Sequence, residues 1–148
     1  MLQTALIIDD EGKSRLTLKT LLSKYCPSIE IVGEGGSVVE GHTLLKELKP
    51  DLLFLDIHLT DGTGFDILSQ LEDINVKIIF TTAYDEYAIQ AFKFSAIDYL
   101  LKPIDPDQLI SLSSKLDKIF YSEELKKQIK VLEENKNSIK RIIRDSRK

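Results

Sequence analysis

The stretch that decides the fold is DLLFLDIHLTDGTG, residues 51–64. Its residues 52–55 form an unbroken apolar run that ends before a glycine-containing turn, a pattern typical of a short strand buried on both faces of a parallel sheet. Asp56 follows where this strand is predicted to end, and ligands of open α/β sheets bind at the carboxyl ends of strands. An Asp in this position can equally be the cap of a turn or a helix. The role of Asp56 therefore depends on which other groups reach the same edge.

Apolar runs and amphipathic patterns alternate along the first 120 residues. A helical pattern follows each strand-like run, and five such units predict a parallel sheet with helices on both faces and right-handed crossovers. This is an α/β fold whose strand order the alternation alone does not decide. The predicted strands are 5–8, 29–32, 52–55, 76–80 and 96–101, and the predicted helices start near residues 14, 38, 65, 84 and 105.

The composition is that of a globular protein in a reducing compartment. The chain has 148 residues, enough for one domain with an appendage, and a formal net charge of -4. The charge is uneven, since residues 1–120 are net acidic and residues 121–148 are net basic. The single cysteine, Cys26, excludes an internal disulfide, the N-terminus shows no signal pattern, and no apolar run approaches the roughly 20 residues that span a bilayer. We therefore expect a soluble, cytoplasmic protein with no membrane partner.

Polar side chains follow four of the five predicted strands. Asp9 and Asp10 come after the first, Asp56 after the third, Thr82 after the fourth and Lys102 after the fifth. Because the carboxyl ends of parallel strands meet at one edge of the sheet, we expect these groups to lie together. Each alone also has an ordinary structural explanation, as a helix cap, a strand-end hydroxyl or a solvated charge. Their joint placement favours a site.

The chemistry of this set indicates phosphoryl transfer. Three neighbouring carboxylates repel unless a cation lies among them, and carboxylate oxygens without His or Cys favour Mg²⁺ over Zn²⁺. Lys102 offers a positive charge and Thr82 a hydroxyl to phosphoryl oxygens. A carboxylate such as Asp56 can itself be the nucleophile and form an acyl phosphate. The sequence shows no obvious general base that would destroy this product quickly, which suits a signal rather than a reaction intermediate.

Four motifs make the chain resemble the receiver domain of bacterial two-component response regulators over about residues 2–120. They are LIIDDE at 6–11, LFLDIHLTDGTGFDIL at 53–68, IIFTTAY at 78–84 and DYLLKP at 98–103. Residues 80–105 further resemble the receivers of LytTR-type transcriptional regulators. The resemblance implies a flavodoxin-like (βα)5 fold, a doubly wound five-stranded parallel sheet of order 2-1-3-4-5.

The same resemblance implies roles for the residues of the predicted site. Asp56 would be the phosphoacceptor and Lys102 the clamp on the phosphoryl group. Asp10 would bind Mg²⁺ directly, Asp9 mainly through water, and Asp56 and the backbone carbonyl of His58 would complete the protein ligands. The cofactor expected on this basis is Mg²⁺.

Further positions are assigned by the resemblance to switching and to the lifetime of the phosphoryl group. Thr82 would be the switch hydroxyl, with Thr81 beside it as a one-residue alternative, and Tyr99 the aromatic that moves inward with it. His58 and Tyr84 would flank the water path and tune dephosphorylation.

One departure from the family pattern is Thr60, where receivers usually have Pro in the turn after the phosphoacceptor. Thr frees the backbone dihedral that Pro fixes, but the change removes no catalytic group.

The function that the resemblance implies is a phosphorylation switch and not an enzyme acting on a separate substrate. A sensor histidine kinase would donate the phosphoryl group to Asp56, and the face of the fourth helix, fifth strand and fifth helix would change its partners, including a second copy in a homodimer.

The alternative is a Mg²⁺-dependent phosphatase with an Asp nucleophile. That enzyme would need an acid/base Asp soon after the nucleophile, where Ile57 and His58 stand, and a substrate cap. A flavin or nucleotide carrier lacks its phosphate loop here.

The C-terminal part is predicted to be a helical extension. Helical spacing of Leu109, Leu112 and Leu116 continues through Leu125, Ile129 and Leu132. We divide the chain into a receiver domain, 1–120, and a helical and basic linker, 121–148. The extension is either a signalling helix that pairs in a dimer or a solvated linker.

DNA binding would need a further domain of on the order of a hundred residues, so we expect the chain to be part of a longer transcriptional regulator.

Overall fold

A five-stranded parallel sheet forms the centre of the first of two units. The computed structural model describes residues 2–72 and 75–146, and its units separate between Ser111 and Leu112. The order of the strands across the sheet is β2-β1-β3-β4-β5. This confirms the predicted fold and strand order. The strands are β1 Gln3–Ile8, β2 Ile29–Gly35, β3 Leu52–Leu55, β4 Lys77–Thr82 and β5 Asp98–Leu101.

Helices follow the strands in the predicted alternation. A two-residue antiparallel pair, His58–Leu59 with Gly62–Thr63, lies between β3 and the third helix, and a 3₁₀ turn, Asp85–Tyr87, precedes the fourth. The helices are α1 Gly12–Tyr25, α2 Val38–Leu48, α3 Gly64–Ser69, α4 Ala88–Lys93 and α5 Pro106–Ser146.

Both faces of the sheet are apolar, because β1, β3 and β4 carry apolar side chains on both sides. Alternate residues of β1, β3 and β4 face the cluster that contains Phe65 and Ile67 of α3, and the intervening residues are equally buried. The first set is Leu6, Ile8, Leu53, Leu55, Ile78 and Phe80, and the second is Ala5, Ile7, Leu52, Phe54 and Ile79. Burial on both faces is what the continuous apolar run in β3 predicts.

The predicted boundaries are wrong at several elements: β1 begins at Gln3 instead of residue 5, β4 runs from Lys77 to Thr82 instead of 76–80, and three further differences need an explanation. The helix expected from residue 84 is a 3₁₀ turn followed by the six residues of α4, and Tyr84 has an extended backbone. β2 continues through Gly35, although residues 33–36 have the composition of a turn. β5 begins at Asp98 instead of residue 96, although the Ile97 amide already donates to the Ile78 carbonyl at 2.8 Å. At β2, pairing with β1 as far as Gly35 overrides the local turn propensity, whereas at β5 the pairing with β4 begins only at Asp98.

A hydroxyl and a carboxylate hold the N-terminus of α2. Ser37 is the N-cap, as predicted, and its Oγ accepts from the Glu40 amide at 3.1 Å. The Asp61 carboxylate accepts from the amides of Val38 at 2.7 Å and Val39 at 3.2 Å. These bonds hold the pKa of Asp61 below its ordinary value. The turn after β3 is thereby attached to the start of α2.

The second unit consists of the part of α5 from Leu112 onward, described as far as Ser146. Within the part of the chain that the structure describes, no helix has the length and apolar character that a bilayer crossing requires. The division between residues 120 and 121 stays a prediction, and residues 147 and 148 of the predicted linker lie outside the described residues.

Candidate phosphoryl-transfer site

Backbone hydrogen bonds continue past the strand ends and fix the residues of the predicted site. The Asp56 amide donates to the Ile8 carbonyl at 2.9 Å, and the Asp9 amide donates to the Gly35 carbonyl at 3.0 Å. The Lys102 amide donates to the Thr82 carbonyl at 2.7 Å. The sheet register therefore sets the positions of Asp9, Asp56, Thr82 and Lys102 along one edge.

Three carboxylates converge at this edge. Asp9, Asp10 and Asp56 each offer one carboxylate oxygen, and these oxygens lie within 4.8 Å of one another. Asp9 and Asp56 are buried, with relative exposures of 2% and 8%, whereas Asp10 is exposed. A set made only of carboxylate oxygens, open on one side, suits a hard divalent cation that keeps part of its water shell. The residues present therefore fit a metal site of this class.

The ammonium group of Lys102 lies between two of these carboxylates. Its Nζ is 2.6 Å from Asp9 Oδ2, 3.0 Å from Asp56 Oδ2 and 3.3 Å from Ser14 Oγ. Burial acts to lower the pKa of Lys102, but the hydrogen bonds with Asp9 and Asp56 outweigh it and place the pKa above its ordinary value. Lys102 is therefore charged throughout the physiological range.

Burial dominates the electrostatics of Asp56. It raises the pKa of this carboxyl above the ordinary value of 3.8, and the hydrogen bond and charge of Lys102 offset only part of the effect. The Ile57 amide also donates to Asp56 Oδ1 at 2.7 Å. A carboxylate that is poorly solvated and held from two sides is well placed to act as a nucleophile.

Residues of α1 that the sequence did not single out hold the loop that carries Asp9. The Arg15 Nη1 donates to the Asp9 carbonyl oxygen at 2.6 Å, and its Nε donates to Glu34 Oε1 at 2.9 Å. Lys19 Nζ lies 2.5 Å from Glu34 Oε2. Arg15 and Ser14 fall one turn into an amphipathic helix, where a polar side chain usually faces solvent, so no sequence signal distinguishes them.

Glu34 should make the free energy of unfolding depend on pH in the acid range. Hydrogen bonds from Lys19 and Arg15 lower its pKa in the folded protein below the ordinary 4.5, so its contribution is fully present above pH 4.5 and is lost as the pH falls through the folded value. We expect Glu34→Gln to lower the free energy of unfolding by about 0.5 to 1 kcal/mol at neutral pH, because solvent screens these half-exposed pairs.

Urea titrations of both proteins across the acid range would measure this difference. The gap between wild type and Glu34→Gln should close below pH 4.5, whereas Glu47→Gln, at an exposed position of α2, should match wild type throughout. A gap that persists undiminished in acid would contradict the assignment.

Gly64 is required where the chain passes behind Asp56. A Cβ at this position would lie 2.5 Å from the Asp56 carbonyl oxygen and 2.8 Å from Leu55 Cγ. The Gly64 amide also donates to the Ile57 carbonyl at 2.8 Å, which fixes the close approach. Because the nearest atom belongs to the backbone, a rotamer change cannot relieve the contact.

We expect Gly64→Ala to destabilise the fold by about 2 kcal/mol, within the usual range for overpacking, and to displace the Asp56 backbone. Gly12→Ala is a matched control, since its Cβ would meet only the flexible end of Arg15 at 3.6 Å. Its effect should stay below about 1 kcal/mol in either direction. Thermal unfolding of the two variants measures the difference, and equal melting temperatures would contradict this account.

Thr82 and Tyr99 both bond to the backbone of Tyr84. Thr82 is fully buried, and its Oγ1 accepts from the Tyr84 amide at 3.4 Å. Tyr99 is half-buried, and its hydroxyl donates to the Tyr84 carbonyl oxygen. Burial raises the pKa of Tyr99 above its ordinary value. Thr81 is equally buried, so the choice between Thr81 and Thr82 as switch hydroxyl stays a prediction.

His58, two residues after Asp56, packs against two tyrosine rings. The His58 ring makes edge contacts with Tyr84, at a centroid distance of 4.7 Å, and with Tyr87, at 5.3 Å. Sequence reasoning identified His58 and Tyr84 but missed Tyr87. The 3₁₀ turn brings Tyr87 to this position, and that turn replaces the helix predicted there.

The structure thus brings Asp9, Asp10, Asp56 and Lys102 into one cluster. It places Thr82, Tyr99, Tyr84 and His58 next to it through a chain of backbone and ring contacts. The individual roles assigned to these residues stay predictions.

Comparison with known proteins identifies relatives of the whole first unit. A family model described as the response regulator receiver domain matches residues 5–114. The sensory transduction protein LytT of Enterococcus faecalis is 43% identical over 115 residues, which are 76% of this chain and 47% of LytT. The transcriptional regulatory protein BtsR of Escherichia coli is 41% identical over 136 residues, 91% of this chain and 55% of BtsR. The chain therefore spans about half the length of the curated relatives it matches.

Solved structures agree in fold. The receiver domain of AraT, a response regulator from Geobacillus stearothermophilus, superposes with a TM-score of 0.74 at 28% identity, covering 84% of this chain and 99% of that one. The response regulatory domain of mrkE from Klebsiella pneumoniae gives a TM-score of 0.73 at 28% identity, covering 80% and 98%.

Proposed function

Since this chain belongs to the response regulator receiver domain family, we propose that it is a phosphorylation switch in which Asp56 accepts a phosphoryl group from a sensor histidine kinase. The observation that carries the proposal is the position of Lys102, whose Nζ bonds to both Asp9 and Asp56 where Asp10 also converges. A nucleophile, an acidic metal site and a fixed cation lie together, which is what phosphoryl transfer to a carboxylate needs.

In the proposed reaction an Asp56 carboxylate oxygen attacks the phosphorus of a phosphohistidine. The new O–P bond forms as the P–N bond breaks, and the electron pair of that bond leaves with the imidazole nitrogen. Mg²⁺, the metal we propose for the Asp9, Asp10 and Asp56 cluster with the His58 carbonyl, would neutralise charge on the phosphoryl oxygens. Lys102 orients Asp56 before transfer and can bind a phosphoryl oxygen afterwards.

The conformational response is proposed to run through Thr82 and Tyr99. A phosphoryl oxygen would accept a hydrogen bond from the Thr82 hydroxyl, whose oxygen accepts a long bond from the Tyr84 amide at 3.4 Å, and the approach of Thr82 to the phosphoryl group would strain or break that bond. The Tyr84 carbonyl also accepts a hydrogen bond from the Tyr99 hydroxyl. A movement of Thr82 that displaces Tyr84 would therefore also displace Tyr99. The exposed apolar residues Ile89 of α4 and Leu101 of β5 lie on the surface that this movement would present to a different partner.

The lifetime of the phosphoryl group is proposed to depend on His58 and Tyr84. His58 follows Asp56 by two residues and its ring makes an edge contact with Tyr84, and rings near an acyl phosphate would restrict the approach of water. Smaller side chains should admit water more readily.

The proposed output is regulation of transcription in the cytoplasm. It is supported by the likeness to LytT and to BtsR, a transcriptional regulatory protein. Contact with DNA would be made by a further domain, and a phosphorylation-dependent homodimer contact of the face formed by α4, β5 and the start of α5 would couple the receiver to it. A Mg²⁺-dependent phosphatase is not favoured, because Ile57 is buried and His58 makes ring contacts where that enzyme would need a second acidic group.

Incubation with acetyl phosphate and Mg²⁺, followed by intact mass measurement, tests the proposal. We expect a single adduct with the mass of one phosphoryl group, and no adduct when a chelator removes divalent metal. An unmodified protein under the complete conditions, or equal modification with chelator, would refute it.

A further inference from the structure

An apolar stripe runs along α5 in the second unit and faces solvent. Its five side chains have relative exposures between 43% and 67%, far above those of a helix face packed in a core. Exposure of one continuous stripe is unfavourable for an isolated helix and is typical of a surface that meets a partner. The stripe consists of Leu125, Ile129, Leu132, Ile139 and Ile143.

The spacing of the stripe is that of a coiled coil. Successive members are four, three, seven and four residues apart, and Lys136 occupies the one skipped position. In a heptad labelled a to g, Leu125, Leu132 and Ile139 stand at d, and Ile129, Lys136 and Ile143 stand at a. With Ser122 and Ser146 as the flanking a and d positions, the heptad frame covers residues 122–146, and its apolar members run from Leu125 to Ile143, a little under three heptads.

We propose that residues 122–146 pair with the same residues of a second copy of this chain in a parallel, two-stranded coiled coil. The inference goes beyond the phosphorylation switch and does not depend on it, since it rests on the stripe alone.

The residue types at the seam favour two strands. Ile at a, with Leu at d in the first two heptads, is the combination typical of parallel dimers. Lys136 is the charged residue among the a and d positions and lies opposite its own copy in the parallel pair, and a polar residue at an interior a position specifies register and strand number while lowering stability. Its methylene groups can pack in the seam while its ammonium group reaches solvent at the edge.

The flanking charges select the parallel orientation. An antiparallel pair would also match the stripe, since Leu125 would face Ile143 and Ile129 would face Ile139. It would, however, place like charges at the e positions side by side, Lys126 with Lys140 and Glu133 with Glu133. The parallel pair places Gln128 beside Glu133 and Asn135 beside Lys140, and neither contact is repulsive.

Cysteine cross-linking distinguishes the two orientations. Ser122 is an exposed a position, and in the parallel pair it lies opposite itself, whereas in the antiparallel pair it would lie opposite Ser146. We expect Ser122→Cys alone to form a disulfide-linked dimer under mild oxidation. Cross-linking only in a mixture of Ser122→Cys and Ser146→Cys would overturn the parallel arrangement. Wild type is the control, because its single cysteine, Cys26, is buried and should give no cross-link.

Sedimentation equilibrium tests the seam itself. We expect wild type to dimerise and Ile129→Asp to weaken the dimer by on the order of a hundredfold, because it buries an unpaired charge. Val131→Asp introduces the same charge at an exposed apolar residue off the stripe and should leave the dimer intact. Asp56→Asn should also remain dimeric, which separates this inference from the phosphorylation proposal. A monomeric wild type, or equal effects of Ile129→Asp and Val131→Asp, would overturn it.

Discussion

Asp56→Asn is expected to abolish incorporation of a phosphoryl group from acetyl phosphate. The amide oxygen of Asn is a poor nucleophile and carries no charge, so no acyl phosphate forms. The substitution is nearly isosteric, and the side-chain oxygen of the introduced asparagine would keep the hydrogen bond that the Ile57 amide gives at 2.7 Å. Because burial already disfavours the charge of Asp56, the folded protein should tolerate its removal. Intact mass after incubation with acetyl phosphate and Mg²⁺ measures the result.

The matched control for this experiment is Asp117→Asn, which neutralises an exposed carboxylate of α5 and should be modified as wild type is. Retention of the adduct by Asp56→Asn would show that another group is the acceptor. A circular dichroism melt of both variants should accompany the measurement, because a lost adduct is informative only in a folded protein.

Lys102→Met is expected to produce a large loss of stability for a change of one charged side chain. It leaves the Asp9 and Asp56 carboxylates facing one another without the ammonium that now lies 2.6 Å and 3.0 Å from them. Removing one partner of a buried ion pair usually costs about 3 to 5 kcal/mol, and because the Lys102 side chain is 21% exposed we expect about 2 kcal/mol. The loss should be greatest near neutral pH and smaller once acid protonates the carboxylates, because protonation removes their repulsion.

Mg²⁺ provides a second measurement on the same variant. A divalent ion that binds the carboxylates replaces the missing positive charge, so it should raise the melting temperature of Lys102→Met more than that of wild type. Lys118→Met, at an exposed position of α5, should behave as wild type in both respects. A Lys102→Met protein as stable as wild type, or one that is indifferent to Mg²⁺, would contradict the charge balance described for this site.

The fold was predictable because its main elements are strongly patterned. The apolar run of β3, bounded by turn residues, is typical of a strand inside a parallel sheet, and alternation with helices leaves few topologies. The strand order came from the resemblance of the motifs, and sheet pairing then brings Asp9 and Asp56 to one edge. The meeting of the carboxylates with Lys102 thus follows from the fold class.

Other features depend on contacts that no local pattern encodes. Arg15 reaches the Asp9 carbonyl because β2 places Glu34 where it can hold the guanidinium. Tyr87 reaches His58 because a 3₁₀ turn interrupts a segment with helical spacing. In each case a partner distant in sequence decides the outcome, and the sequence of the segment alone is equally compatible with a solvated side chain or a longer helix.

The carboxylate of Asp61 couples two segments that are distant in the chain, and this limits how segments of the domain can be exchanged with those of a relative. It belongs to the turn after β3 but bonds to the first two amides of α2, 23 and 22 residues earlier in the chain. If α2 were transplanted into a relative, it would leave this anchor behind unless the turn that carries Asp61 came with it. The two segments therefore form one module, and substitutions in either are constrained by the other wherever domains of this kind are shuffled, grafted or diversified.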